Sequence, residues 1–392
     1  MPDLLLLTAL LVAVGCGWWL GSQQGKRKAR SGLALSKGYL GGLDIFIKEQ
    51  SDESIEKFLN ALDPQGNTAD IHLALGRLFR TRGEVDKATH LHQGLLARSD
   101  LPRDKLLLIQ FELANDYMVA GLLDRAERLL EELSRESGEV KWRSTELLMQ
   151  VYQREKEWDK AIGAALVLLP RKAAEIRPVL AHYSCEKALE ALAENEINLA
   201  RRALKRALSY DQNSVRASLL KGRIETDAGN FKEAIKALRR VKDQDISYLP
   251  EAIPQLSHCY KQLGKQDVFM SYLTDCIAQN PSITLVITAV DILQGIAGQK
   301  QEANRLIKEQ LKSRPSLRGL LRLIDMQIEA SAKVGQSNED LSELRSVTAQ
   351  LIETKPVHRC TVCGYSGRSL VWLCPGCQQW GKIKPIYGQE GE

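Results

Sequence analysis

Residues 75–88 read LGRLFRTRGEVDKA, and residues 113–126 read LANDYMVAGLLDRA. Each presents a small or apolar pair (Leu75 and Gly76, Leu113 and Ala114), a ring three residues on (Phe79, Tyr117), a glycine (Gly83, Gly121) and an alanine five beyond it (Ala88, Ala126). Parts of the pattern return at Tyr152 and Ala161, at Ala188 and Ala200, at Gly222, Gly229 and Ala234, at Leu256, Tyr260, Gly264 and Pro281, and at Gly298, Ala303 and Pro315. Ala200 to Ala234 is 34 residues, and Pro281 to Pro315 is 34 again. A unit of that length, with apolar residues at helical spacing on both sides of a central glycine, is two antiparallel helices joined by a tight turn. Alanine recurs because the second helix must approach the first closely. Proline recurs because it stops one hairpin before the next begins. A generic helical bundle has no reason to hold one register through seven copies.

This pattern resembles the tetratricopeptide repeat, and the resemblance spans 36–315. It implies an all-α array of seven units, with a degenerate first one at 36–68 and an eighth helical pair at 317–353, curled into a superhelix with a concave face. Such arrays hold proteins. The first helix of each unit lines the concave face, which makes Arg77, Arg80, Arg216 and Arg223 candidates to meet a carboxylate-bearing partner. The plainer alternative is that they are solvated surface charges.

Both ends depart from the repeat. Leu4 to Leu20, LLLLTALLVAVGCGWWL, carries no charge. Seventeen residues make a helix of roughly 26 Å, near the lower limit for crossing a bilayer. Trp18 and Trp19 close it and Lys26, Arg27, Lys28 and Arg30 follow, an arrangement that keeps the basic flank and everything after it on the cytoplasmic side. A cleaved secretory signal would need positive charge ahead of the apolar run, where Pro2 and Asp3 stand. A lipidation site at Cys16 meets the same objection. The expectation is a single-pass anchor with its N-terminus periplasmic.

At the other end HRCTVCGYSGRSLVWLCPGCQQW (358–380) contains two C-x2-C pairs, Cys360/Cys363 and Cys374/Cys377. In a reducing compartment, disulfides give way to metal. Four thiolates in a tetrahedron suit one zinc or iron ion, and the spacing does not choose between them. Gly364 and Gly376 are expected to permit the turns that aim amides at the sulfurs. So short a module cannot build its own core, and the metal is expected to supply much of its folding free energy. Its strand-like pieces, SLVWL and KIKPI, carry Leu370, Trp372, Ile383 and Ile386, more apolar surface than the module can bury alone. Docking on the last repeats is expected, and Trp372 joins the candidate partner-binding residues.

The chain of 392 residues is 44% hydrophobic and 26% charged, ordinary for a folded protein. Its net charge is +5. The basic flank holds four of those charges and the last 38 residues about three, so the repeats come out slightly negative, which argues against nucleic acid as the main partner. No catalytic constellation is present in sequence: there is no phosphate-binding Gly-rich loop with Lys-Ser/Thr, no H-E-x-x-H and no nucleophile elbow. His72, His90, His92, His182 and His258 fall on repeat helices and read as packing or surface residues, as do Cys185, Cys259 and Cys276.

An apolar N-terminus with a basic flank, an array containing LGRLFRTRGEVDKATHLHQ and a terminus reading HRCTVCGY, LVWLCPGC and WGKIKPI together resemble the lipopolysaccharide assembly protein B family. The resemblance runs the length of the chain and divides it into an anchor (1–24), a basic linker (25–35), the repeat array (36–353) and a rubredoxin-like module (354–392). It implies a non-enzymatic inner-membrane adaptor that presents the early lipid A deacetylase to the membrane AAA+ protease FtsH, under a periplasm-facing membrane regulator and among lipopolysaccharide synthesis or transport proteins. It also implies metal ligands at Cys360, Cys363, Cys374 and Cys377. Competing readings are a scaffold that assembles lipopolysaccharide enzymes without directing proteolysis, rubredoxin-like electron transfer, and an RNA-binding zinc ribbon.

Overall fold

The computed structural model describes residues 69–280, 282–332, 339–388 and 391. The apolar segment, its basic flank, the first repeat at 36–68 and Pro281 lie outside the described residues. No helix among the described residues is long and apolar enough to cross a membrane.

The chain separates into two compact units between Val151 and Tyr152. Before that point come α1 (Ala69–Thr81), α2 (Val85–Leu96), α3 (Arg103–Ala120), α4 (Leu123–Ser134) and most of α5 (Glu139–Glu155). After it come α6 (Trp158–Leu168), α7 (Ala173–Ala193), α8 (Ile197–Tyr210), α9 (Val215–Asp227), α10 (Phe231–Gln244), a 3₁₀ turn (Ile246–Tyr248), α11 (Leu249–Gln262), α12 (Gln266–Gln279), α13 (Ile283–Gly295), α14 (Lys300–Ser313), α15 (Leu317–Ala332) and α16 (Glu339–Thr354). Three short strands close the fold: β1 (His358–Cys360), β2 (Ser366–Gly367) and β3 (Ile383–Pro385). The helices are successive hairpins, eight among the described residues: the expected pair after residue 317, and seven between 69 and 313, one more than a count of seven that begins at 36–68 leaves for that stretch.

One turn chemistry makes most of these hairpins. The amide of Glu84 donates to the Phe79 carbonyl at 2.9 Å, Leu122 to Tyr117 at 2.9 Å and Lys265 to Tyr260 at 2.9 Å. In each case a glycine in the left-handed region (Gly83, Gly121, Gly264) makes that closing bond possible. The third and fourth hairpins keep the same bond without a glycine: Glu157 donates to Tyr152 and Glu196 to Ala191, with Lys156 at φ 61° and Asn195 at φ 62°. Five residues beyond each left-handed position sits a fully buried alanine, Ala88, Ala126, Ala161, Ala200, Ala234 or Ala303. In the sixth hairpin Phe269 takes that place and stacks on Tyr260, centroids 4.9 Å apart. Close approach within a hairpin is tightest at Gly76 and Gly222, where a Cβ would come within 2.3 Å of His92 and of Leu238. Methyl groups added there would overpack the hairpin.

The terminal sheet has the order β2-β1-β3, antiparallel throughout, with His358 opposite Gly367 and Cys360 opposite Ile383. KIKPI contributes β3 as its alternation suggests. SLVWL does not form a strand; Leu373 makes only an isolated bridge to Trp380. Leu370 and Trp372 pack instead on the buried cluster of helices α9 to α13, so the segment follows the array and not a sheet neighbour.

Candidate metal centre and its dock

The two knuckles are built alike. The amide of Gly364 donates to the Cys360 carbonyl at 3.1 Å and the amide of Gln378 to that of Cys374 at 2.9 Å. Cys360 donates back to the Tyr365 carbonyl and Cys374 to that of Gln379. The residue after each second cysteine must turn left-handed, and these are Gly364 (φ 77°) and Gln378 (φ 55°). Gly376, expected to serve that purpose, does something else. A Cβ on it would lie 3.1 Å from the Cys363 Sγ of the opposite knuckle, so glycine there leaves room for a thiolate.

All four Sγ atoms lie within 4.8 Å of one another. Cys360 and Cys377 are 3.7 Å apart through sulfur, and Cys363 and Cys374 are 3.5 Å apart. A tetrahedron with metal–sulfur bonds near 2.3 Å has edges of about 3.8 Å. The donor set therefore fits one ion, zinc or iron, held by Cys360, Cys363, Cys374 and Cys377. The surroundings prepare the sulfurs for it. Amides of Cys363 and Val362 directed at Cys360 bring its thiol down to about 6, whereas burial pushes that of Cys377 up to about 12. A cation among the four would offset the mutual repulsion of thiolates held this close.

The module docks through aromatic side chains. Trp380 stacks on His182 (centroids 4.9 Å apart) and meets Trp158 and Tyr183 edge-on at 6.4 and 6.0 Å. Its indole Nε1 donates to Gln153 Oε1 at 2.7 Å, which also accepts from the Tyr183 hydroxyl. Trp372 stacks on Tyr248 at 5.4 Å. Polar contacts frame these rings: the Tyr248 hydroxyl donates to the Ile383 carbonyl at 2.7 Å, that of Tyr387 to the Ser247 carbonyl at 2.8 Å, Lys384 pairs with Asp245 at 2.9 Å and His358 with Glu251 at 2.8 Å. These partners belong to the third through sixth hairpins. The expectation of docking on the last repeats is corrected accordingly, because the aromatic floor that matches the two tryptophans lies earlier in the chain. Sequence reading missed His182, Trp158, Tyr183, Tyr248 and Trp380; the one available signal was the excess of apolar surface on the module.

The candidate arginines separate by environment. Arg80 is largely buried and bonds Glu112 at 2.7 Å and Asp116 at 2.8 Å. Arg216, also buried, pairs with Glu186 at 2.8 Å and lies over the Trp380 ring at 5.5 Å. The carboxylates these two meet belong to the chain itself. Arg77 pairs with Glu112 from an exposed position, and Arg223 is exposed beside Asp227. Trp372 lies within the dock.

His182 makes the dock pH-sensitive. Burial, helped by the charge of Arg216, brings its imidazole down to about 3, and its Nδ1 has no hydrogen-bond partner. An unfolded chain takes up that proton near pH 6.5. Between pH 6.5 and 3 the unfolded state therefore binds more protons, and stability falls as the pH falls, by about 2 kcal/mol at pH 5. Urea unfolding followed by tryptophan fluorescence is expected to show this decline, and His182→Phe, which keeps a stacked ring, is expected to flatten it. Equal pH slopes for the two proteins would rule it out.

The chain matches the family models for tetratricopeptide repeat over residues 185–248 and for rubredoxin metal binding domain over residues 358–385. Lipopolysaccharide assembly protein B of Escherichia coli (strain K12) is 34% identical over 388 residues, covering 99% of each chain. Its namesake from Haemophilus influenzae is 33% identical, covering 98% of this chain and 99% of the other. Among solved structures, a tetratricopeptide repeat protein from Parabacteroides merdae matches 72% of this chain and 100% of its own at 17% identity and a TM-score of 0.34. Identity of one residue in three across the full length of both relatives places this chain in the lipopolysaccharide assembly protein B family.

Proposed function

We propose that this chain is a non-enzymatic adaptor of the inner membrane that regulates lipopolysaccharide synthesis by bringing the early lipid A deacetylase to FtsH for degradation. The observation that supports it best is relatedness over the whole length to proteins named for lipopolysaccharide assembly. The architecture suits the task. Helical hairpins offer protein-binding surface, and a metal module clasped to four of them stiffens that part of the array. In this reading Leu4–Leu20 spans the membrane with its N-terminus periplasmic, the bulk of the chain lies in the cytoplasm, and a periplasm-facing regulator acts through the membrane. Tethering raises the local concentration near a membrane protease, so modest contacts suffice. Of the four candidate arginines, the exposed Arg77 and Arg223 are the ones open to such contacts.

The test is the half-life of the deacetylase in cells that lack the chain, carry it whole, or carry it without residues 1–25. The whole chain is expected to shorten the half-life severalfold, and the untethered one to leave it long. A half-life indifferent to the whole chain would refute the adaptor reading and favour a scaffold that only assembles the enzymes.

A further inference from the structure

Within the slightly negative repeats, two helices are rich in cations. Helices α8 and α10 are the second helices of consecutive hairpins, four Lys or Arg on the first and five on the second, against only Glu233 and Asp243. Their buried sides are apolar: Ala200, Leu204 and Ala207 on α8, and Ala234, Ala237, Leu238 and Val241 on α10. The opposite sides carry Arg202, Lys205 and Arg206 at successive-turn spacing, and Lys232 and Lys236 four apart. These five are exposed, and their side chains make no ion pair or hydrogen bond among the described residues. The two helices are tied together at one end, where Arg240 and Gln244 of α10 donate to the Gln212 carbonyl just after α8. Cations left unpaired in a fold that pairs so many others are available to an external anion.

We propose that this face lies against an anionic phospholipid surface. Ile197 and Leu199, at the head of α8, are 44% and 41% exposed, and Leu199 lines one groove with Arg202 and Arg206, the other wall of which carries Asp159, Glu190 and Glu194. An interface that accepts both charge and exposed aliphatic side chains is a lipid headgroup layer; a nucleic-acid backbone offers the isoleucine and leucine nothing. The proposal rests on the membrane reading above and deepens it: the body would be held down flat by charge as well as by its tether. Each lysine or arginine near an anionic surface multiplies partition by about fivefold. Neutralising Arg202, Lys205 and Arg206 together should weaken it about 100-fold.

The test uses the full chain reconstituted in vesicles of phosphatidylcholine alone, or of equal parts phosphatidylcholine and phosphatidylglycerol. Amine-reactive labelling read by mass spectrometry reports on Lys205, Lys232 and Lys236, with flotation run in parallel. The expected result is protection of these lysines only with phosphatidylglycerol, lost in high salt and lost at Lys232 and Lys236 in the R202Q/K205Q/R206Q variant. Equal labelling in both vesicles overturns the proposal. So does protection by an added single-stranded RNA oligonucleotide where phosphatidylglycerol gives none, which would assign the face to nucleic acid. A chain that floats with neither vesicle defeats the anchor reading and this one together. A chain that floats only with phosphatidylglycerol defeats the anchor alone and upholds the charged face.

Discussion

Serine in place of Cys374 will strip the chain of its metal and unfold residues 358–387, while the helices before residue 354 keep their content. Cys374 is fully buried, and the buried apolar cluster of the module consists of Cys360, Cys374 and Ile383 alone. Two of those three are ligands, so the ion occupies the place where a larger domain would have a core. Structural zinc contributes about 10–16 kcal/mol of apparent binding free energy to such domains, and strands of two or three residues have nothing comparable to offer. Elemental analysis should fall from one ion per chain to near none, limited proteolysis should cut between 358 and 387, and tryptophan emission should shift red as Trp372 and Trp380 leave their stacks. Far-ultraviolet dichroism should hardly move. If the module instead stays protected without metal, the aromatic dock and not the ion is what folds it, and the tryptophans become the residues to remove.

What could be read from sequence follows from the range of the interactions. The hairpins were legible because alanine five beyond the turn is forced by helix approach, a local constraint that repeats. The left-handed turns were legible only where glycine fills them; Lys156 and Asn195 hold the same conformation at a strain of about 1 kcal/mol, which no pattern search for glycine detects. The metal ligands were legible because a tetrahedron needs four sulfurs in two tight pairs. The dock was not, since Trp380 bonds a glutamine 227 residues earlier and nothing periodic encodes that meeting. Charge misled for a related reason. Summed over the repeats it nearly cancels, yet folding sorts the cations of α8 and α10 onto one kind of helix face and pairs others, such as Arg80 and Arg216, with carboxylates from neighbouring helices.

Arg80→Met is expected to destabilise the hairpins of α1 to α4 by about 3–5 kcal/mol, and Arg77→Met by less than about 1 kcal/mol, although the two arginines share Glu112. The difference lies in what each leaves behind. Glu112 and Asp116 are 2% and 0% exposed, and Asp116 also takes the Nδ1 of the fully buried His92. Burial opposes ionisation of Glu112, yet the hydrogen bonds and charges of Arg77 and Arg80 hold its carboxyl below its ordinary value. Without Arg80, Asp116 has only a histidine to answer its charge, and water cannot reach it. Without Arg77, which is 44% exposed, Glu112 still has Arg80. Amide hydrogen exchange across residues 69–120 should therefore accelerate strongly in Arg80→Met and scarcely in Arg77→Met, with Arg80→Lys between them because one ammonium cannot span both carboxylates. Equal protection in the two methionine variants would mean that the buried network is not what secures these helices. A loss of partner binding in Arg80→Met would report an unfolded hairpin, so Arg77 is the residue at which the question of a partner's carboxylate can be asked without disturbing the fold.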